Sequence, residues 1–560
     1  MATPTSIREI DLSPISGKTY FEAFREWREE FIYFLLVDRF HDGESRAPVR
    51  QAARAPGIAT PDDFYGGKIK GITRNLDYIA GLGCTAIWLS PVFCNNPGAY
   101  HGYNINNYLD VDPHFGTKQD LIDLVEAAHR RDPPMRVVLD VVINHSGDNW
   151  AYPGDFPYGY FEDRQFPLGF WRRDDRPIPV ELRNDSLYHR RGAISSSGGY
   201  DTYPENQHGD IATLKDYAND DDAAGYEVID ILSKVHCYWI READVDGFRV
   251  DAVKHMGELA CSEFCSNIRE YAYALGKRGF FLFGEVASAD DELIDRYIGQ
   301  NTSRHDDGKT VFFGLDSALD FRLAYDLQWV IKGLKDPQAL CDRLEAQRNR
   351  ALTRGEIGRY LVTFADNHDS FRQRSSGRIA NGTPDEQVIA IVGYLLCALG
   401  TPCIYYGTEQ GFTGQGGDNQ MREAMFDTSR PGLDLLNPDC GIYKEIGRIA
   451  AVVRSTEPLR FGRMYFRQIS GDGRHFGFPY GNAYTLAFSR LLYGQEVLVA
   501  YNVSGERRQD CVLVDASLHR KGDAMTYLYG DLGSRTLDQA DDGTLYVRLP
   551  LEPHQFVILA

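Results

Sequence analysis

A surplus of positive charge is missing from this chain. Its 560 residues carry 60 Lys and Arg against 80 Asp and Glu, a formal net charge of -20 at pH 7. That balance repels polyanions, so neither nucleic acid nor an anionic membrane surface is expected as a partner. Paired cysteine spacing is missing too. Of ten cysteines, Cys261 and Cys265 could share a helix face, but no second pair completes a zinc set. Cys84, Cys237, Cys397 and Cys403 lie in apolar runs and read as buried free thiols. Met1 to Lys18 has no basic patch followed by an apolar stretch, so no secretory signal is read there. A cytoplasmic location is expected, or a secreted one if a leader was removed. One apolar run, Val388–Tyr406, is long enough to cross a bilayer, but Gly400-Thr401-Pro402 interrupts it. The interruption predicts a buried helix followed by a buried strand. Low-complexity tracts are absent.

What is present is enough apolar residue, 43%, for a large core and two to four domains. Aromatic residues are abundant, with 33 Tyr, 30 Phe and 6 Trp. They suit stacking on sugars, although core packing accounts for most of them. Eight short buried-strand patterns recur: Ile32–Val37, Ala86–Leu89, Arg136–Val142, Gly247–Asp251, Phe280–Glu285, Leu315–Asp320, Leu361–Ala365 and Cys403–Tyr406. Between them Asp120–His129 and Tyr226–Trp239 read as amphipathic helices. Strands alternating with helices imply parallel pairing, and eight units close a barrel. The fold class is therefore α/β, a (β/α)8 TIM barrel formed by residues 1–145 and 218–454, with an extension over 1–30. Residues 146–217, rich in Gly, Pro, Asp, Tyr and Arg, read as a subdomain inserted after the third strand. From 455 to 560 strand-like alternation predicts a C-terminal antiparallel β-sandwich, with strands near Tyr484–Phe488, Glu496–Tyr501, Thr544–Leu549 and Pro553–Ala560.

Three of the strand patterns run into carboxylates: Gly247-Phe248-Arg249-Val250-Asp251, Gly284-Glu285-Val286 and Phe364-Ala365-Asp366-Asn367-His368-Asp369. In a parallel barrel these fall at the C-terminal face, where catalytic residues gather. Arg249 and Asp251, two apart, face the same side, and the guanidinium favours an ionised, nucleophilic Asp251. Glu285 follows Phe280-Phe281-Leu282-Phe283, an apolar setting expected to keep a proton ready for a leaving group. A proton donor above a bond and a carboxylate below the ring are what glycosidic cleavage requires.

The segments Asp140-Val141-Val142-Ile143-Asn144-His145, Gly247 to His255, Gly284-Glu285-Val286 and Phe364 to Asp369 resemble, in order, the four conserved segments of the α-amylase family, glycoside hydrolase family 13. Tyr65 to Ile72 and Pro402 to Glu409 are secondary matches. The resemblance implies a retaining mechanism, with Asp251 as nucleophile, Glu285 as acid and base, and Asp369 stabilising the transition state. His145 and His368 would hydrogen-bond the sugar at the cleavage point, Arg249 would support Asp251, and Tyr103 would be the stacking platform. Asn104 and Asn107 stand where many relatives carry Asp. Lys254 and His255 resemble the pair that α-amylases use on the reducing-end side. This implies a substrate of α-1,4-linked glucose, a starch-like glucan or malto-oligosaccharide. A cyclodextrinase or neopullulanase, an α-glucosidase or a transglycosidase of the same family is the alternative. The family also implies a structural calcium, on Asn144, Asp210 and the backbone of His255, and no organic cofactor. A fourth ligand is not evident, and the Asp-x-Asn-x-Asp loop that some relatives have after strand one is absent. A non-catalytic partner subunit of this family would be expected to lose carboxylates and gain an anchor; here all three carboxylates are kept.

Overall fold

The computed structural model describes residues 3–560 except 23, 47–48, 155–157, 196–197, 221, 300–303, 307–308, 312–313, 355–356, 370–376 and 430–432. Eight parallel strands close a barrel: β1 (Ile32–Leu35), β2 (Ala86–Leu89), β3 (Arg136–Val141), β4 (Gly247–Val250), β5 (Phe281–Gly284), β6 (Ser317–Leu319), β7 (Leu361–Thr363) and β8 (Thr401–Tyr405). Each strand pairs with the next in sequence, and β8 returns to β1 through Ile32 opposite Cys403. All eight fall inside the segments that the apolar runs predict, except that β8 begins two residues earlier. The strands are buried throughout, as expected where helices cover a parallel sheet.

Side-chain chemistry fixes the helices that wrap it. Thr117 and Asp120 form a reciprocal capping box at the start of helix Lys118–His129. Asp222 accepts from the N–H groups of Ala224 and Gly225 and starts helix Ala223–Ala243. The apolar run at 388–406 is a helix, Asp385–Cys397, followed by β8. Among the described residues no helix is long and apolar enough to cross a membrane. All ten cysteines are free thiols, and all but the half-buried Cys94 are buried.

The two ends of the barrel differ. At the N-terminal end Trp27 stacks on Phe281 at 4.4 Å, and the buried Glu30 carboxylate meets Arg136 at 3.1 Å, which plugs that mouth. At the other end the long connection after β3 is pinched at its neck, where His145–Ser146 pairs with Lys215–Asp216. Between these lies irregular chain with one further ribbon, Trp150–Ala151 against Phe170–Trp171, and a short helix, Glu205–His208.

After the barrel, nine antiparallel strands follow: β9 (Arg463–Phe466), β10 (Ile469–Ser470), β11 (Thr485–Leu492), β12 (Gln495–Asn502), β13 (Arg508–Leu513), β14 (Ala524–Tyr529), β15 (Ser534–Gln539), β16 (Leu545–Leu551) and β17 (Phe556–Leu559). Their order is β9-β11-β12-β17-β14-β15-β16-β13-β10. The sheet curls, so Thr485 on β11 donates to Asp510 on β13 at 2.6 Å although these strands lie far apart in the order. The enclosed core contains Ala487, Val512, Met525, Leu537 and Val547. Five of the nine strands, β9, β10, β13, β14 and β15, have no counterpart in the sequence pattern. Two of these, β9 and β15, alternate buried and exposed residues only irregularly.

Candidate active site

The C-terminal ends of the barrel strands bring together the side chains that the sequence singles out. Register places Arg249 on β4 beside Asp140 on β3, both pointing into the barrel. The Arg249 Nη1 donates to Asp140 at 2.8 Å and to Asp251 at 2.7 Å, while Nη2 lies 2.9 Å from Glu285. One fully buried guanidinium therefore touches three carboxylates from three adjacent strands. After Asp251 the chain turns through Ala252 in the left-handed region (φ 51°), which points its N–H at Glu285 at 3.2 Å. A non-glycine residue held there is strained, and such strain gathers at functional sites. Gly284, just before Glu285, has no room for a Cβ, which would lie 2.3 Å from Leu315 and 2.9 Å from Val253.

Asp369 approaches from the loop after β7. Its carboxylate accepts from Arg422 Nη2 at 3.1 Å and lies 3.5 Å from His368 Nε2. His145 Nε2 stands 4.0 Å from Asp251. Tyr103 donates its hydroxyl to Asp140 at 2.8 Å, and its half-buried ring stacks on His368 at 5.3 Å.

Burial dominates the electrostatics. It pushes the Asp251 carboxyl well above its usual range; Arg249 opposes this, and the neighbouring charges of Glu285, Asp140 and Asp369 add to it. The arginine alone predicts the opposite direction, because the sequence reveals neither the depth of burial nor how many carboxylates share the guanidinium. Asp140 is raised to about 6 by burial, against the pull of Arg249, and Asp369 is raised for the same first cause. Burial lowers His145 to about 3 and His255 to about 4, and it lowers His368 far below its ordinary value, so these imidazoles are neutral at pH 7. Among the described residues, His145 Nε2 and His368 Nδ1 are buried without a hydrogen-bond partner. Buried ring nitrogens left open in this way are suited to polar groups of a ligand.

Lys254, His255, Trp150 and the expected calcium ligands lie around the inserted segment. Lys254 reaches Asp201 at 3.0 Å and the Ala287 carbonyl at 3.3 Å, and His255 Nδ1 meets the Asn206 carbonyl at 2.6 Å. Both therefore fasten the inserted segment to the barrel rim. Trp150 is fully buried beneath Lys215, whose ammonium is 4.9 Å from its ring, so it packs the insert. Of the expected calcium ligands, Asn144 faces Asp216 and Asn219, each at 3.3 Å. Asp210 is engaged instead by Tyr152 at 3.0 Å and Lys215 at 3.5 Å.

Asp140, Trp88 and Arg422 were not among the residues that the sequence singles out. Trp88 donates its indole N–H to Asp140 at 3.1 Å. The signal for Asp140 was an acidic residue inside an apolar strand, directly across from Arg249. Arg422 lies beyond β8 in a segment with no motif, and only the fold carries it to Asp369.

A closed parallel barrel with three carboxylates at its C-terminal face defines the glycosidase type of TIM-barrel site. Residues 34–433 match the family described as alpha amylase, catalytic domain, and the chain belongs to that family. It is 29% identical over 550 residues to an α-amylase of Streptomyces lividans, covering 85% of this chain and 55% of that protein. It is 28% identical over 469 residues to a cyclomaltodextrin glucanotransferase of Klebsiella oxytoca, covering 76% of this chain and 65% of the relative. The chain thus spans between about half and two thirds of the length of these two relatives. Among solved structures, the α-amylase from Geobacillus thermoleovorans complexed with acarbose superposes with a TM-score of 0.68 at 25% identity, covering 96% of this chain and 98% of that one.

Proposed function

We propose that this chain is a retaining glycoside hydrolase that cleaves α-1,4-glucosidic bonds of starch-like glucans or malto-oligosaccharides. The observation that carries the reading is the single Arg249 guanidinium in contact with both Asp251 and Glu285. Sharing one guanidinium favours the short carboxyl spacing, about 5–5.5 Å, of a double-displacement enzyme over the wider gap that admits a water. Asp251 attacks the anomeric carbon while Glu285 protonates the departing glycosidic oxygen, which leaves a covalent glycosyl-enzyme. Glu285, now ionised, takes a proton from water, whose oxygen displaces Asp251 and restores both groups. Asp369 supplies negative charge to the oxocarbenium-like transition state. His145 and His368, neutral and each with an open nitrogen, are suited to sugar hydroxyls, and the half-buried Tyr103 ring offers a stacking surface. Lys254 and His255 contribute through the inserted segment that they anchor.

The second reading keeps the same intermediate and changes the acceptor from water to a sugar hydroxyl, as in cyclodextrin-forming relatives. It is favoured by the resemblance to a cyclomaltodextrin glucanotransferase. Maltoheptaose separates the two. Shorter linear products, released as the α-anomer in NMR of fresh digests, are expected. Predominant cyclic or lengthened products would replace the hydrolase by a transferase, and a β-anomer would end both readings.

Calcium does not fit the predicted ligand set. The Lys215 ammonium already offers Asp210 a positive charge, and Asn144 is turned toward Asp216 and Asn219. No step of the reaction is routed through a metal.

The pH profile is a further test. Asp251 must be ionised to attack, and its carboxyl titrates above its usual range, so kcat/KM falls as pH drops through that raised value. The acid limb should therefore lie above the ordinary Asp value of about 3.9. Asp140→Asn removes one of the charges that raise Asp251 and should move the limb to lower pH. A limb that stays in place in this variant would contradict the electrostatic assignment.

A further inference from the structure

A second cluster stands apart from the three carboxylates, on the inserted segment. His189, His208 and Asp220 each offer a ligand atom, and these atoms all lie within 4.8 Å of one another. His189 Nε2 is 3.0 Å from Asp220 Oδ2, and His208 Nε2 is 3.3 Å from Asp220 Oδ1. The two imidazole rings are 4.5 Å apart, centroid to centroid. The other nitrogen of His189, Nδ1, is 2.6 Å from Asp216 Oδ2. That contact holds the ring in place, and a metal bound at Nε2 would replace the hydrogen bond that Nε2 makes to Asp220. A carboxylate behind a ligating histidine is the usual support of a zinc site.

We infer that His189, His208 and Asp220 form a structural site for a transition metal of the zinc type, with Asp216 orienting His189. Zinc bound at about 2.0–2.1 Å has ligand atoms about 3.3 Å apart along the edges of its tetrahedron; here the two histidine nitrogens lie 3.0 and 3.3 Å from the two different oxygens of Asp220, within reach of one ion. Two imidazole nitrogens and one carboxylate select zinc, or cobalt as its probe, over calcium, which takes oxygen ligands. His189 is buried while His208 and Asp220 are only half-buried, which leaves a solvent-facing fourth position for water.

The site has a mechanical consequence. Its ligands come from three separate points of the chain, and Asp220 lies just before the cap of helix Ala223–Ala243. His208 ends the short helix that presents the Asn206 carbonyl to His255, and Gln207 in that helix donates to the Met256 carbonyl at 3.3 Å. A metal there would staple the insert to the start of helix Ala223–Ala243 and hold in place the short helix that contacts His255 and Met256.

The test uses the full chain, stripped with a chelator and dialysed free of it. Titration with Zn²⁺ should show one equivalent bound and a thermal midpoint raised by several degrees. Co²⁺ should give the intense visible absorption of a tetrahedral centre. Asp216→Asn should weaken Zn²⁺ binding about 10- to 100-fold, and His208→Asn or Asp220→Asn should weaken it further. Circular dichroism of each metal-free variant shows whether it still folds. The proposal is overturned if the parent chain binds no Zn²⁺, if the His208→Asn and Asp220→Asn variants keep parental affinity, or if Ca²⁺ displaces the metal. None of these readouts depends on turnover, so this result and the hydrolase reading stand or fall separately.

Discussion

Asp251→Asn should lower turnover on a starch-type glucan by at least about 10⁴-fold, the scale seen when a nucleophile is removed from a catalytic set. The carboxamide is nearly the same size but has no anion with which to form the glycosyl ester. Arg249 keeps its contacts with Asp140 and Glu285, so the variant leaves no cavity and no stranded cation. Burial already makes the ionised Asp251 costly, and a neutral amide removes that cost. The melting temperature should therefore be unchanged or higher, and the circular dichroism spectrum unaltered. Turnover within about tenfold of the parent would defeat the nucleophile assignment.

Arg249→Met should damage both stability and activity. The guanidinium is fully buried and is the shared cation of Asp140, Asp251 and Glu285. Removing one partner of a buried ionic network typically costs about 3–5 kcal/mol, because the remaining charges lose their counter-ion. Without the arginine, the Asp140 and Asp251 pKa values in the folded state rise further above the unfolded value. A raised acid destabilises the fold above its folded pKa and has no effect below the unfolded one. The stability deficit, measured by denaturant titration, should therefore be largest at neutral pH and shrink as the pH falls. Arg249→Lys keeps one charge but cannot reach several carboxylates at once, so it should fall between parent and Met variant. A deficit independent of pH would mean that lost packing, and not the shared charge, is the cause.

Much of the architecture could be read from local pattern. A strand buried on both faces must be apolar along its length, so the eight barrel strands stand out as short Val-, Ile-, Leu- and Phe-rich runs. Asp251 and Glu285 directly follow two of these runs, and sequence adjacency alone puts them at the barrel mouth. Asp369 lies six residues beyond β7, and the motif around it, rather than its position, marks it. Of the C-terminal strands that escaped, β9 and β15 alternate buried and exposed residues only irregularly and carry little periodic signal. Asp140 escaped because its role exists only across a strand pair. Arg422 escaped because it lies on a loop whose path depends on the closed barrel. Lys254 and His255, which the family resemblance assigns to the substrate, also contact Asp201 and Asn206 of the insert, a pairing that only the fold creates.

By itself the sequence determined the eight-strand rhythm and the carboxylates that follow three of those strands, since each strand and its acid are written in one short segment. Only the tertiary structure decided how charge is shared among them. Electrostatic energy depends on distance and burial, and barrel closure brings residues 140, 249, 251 and 285 around one guanidinium. The same holds for the His189, His208 and Asp220 cluster, whose members are separated by 18 and 11 residues and meet only when the insert folds.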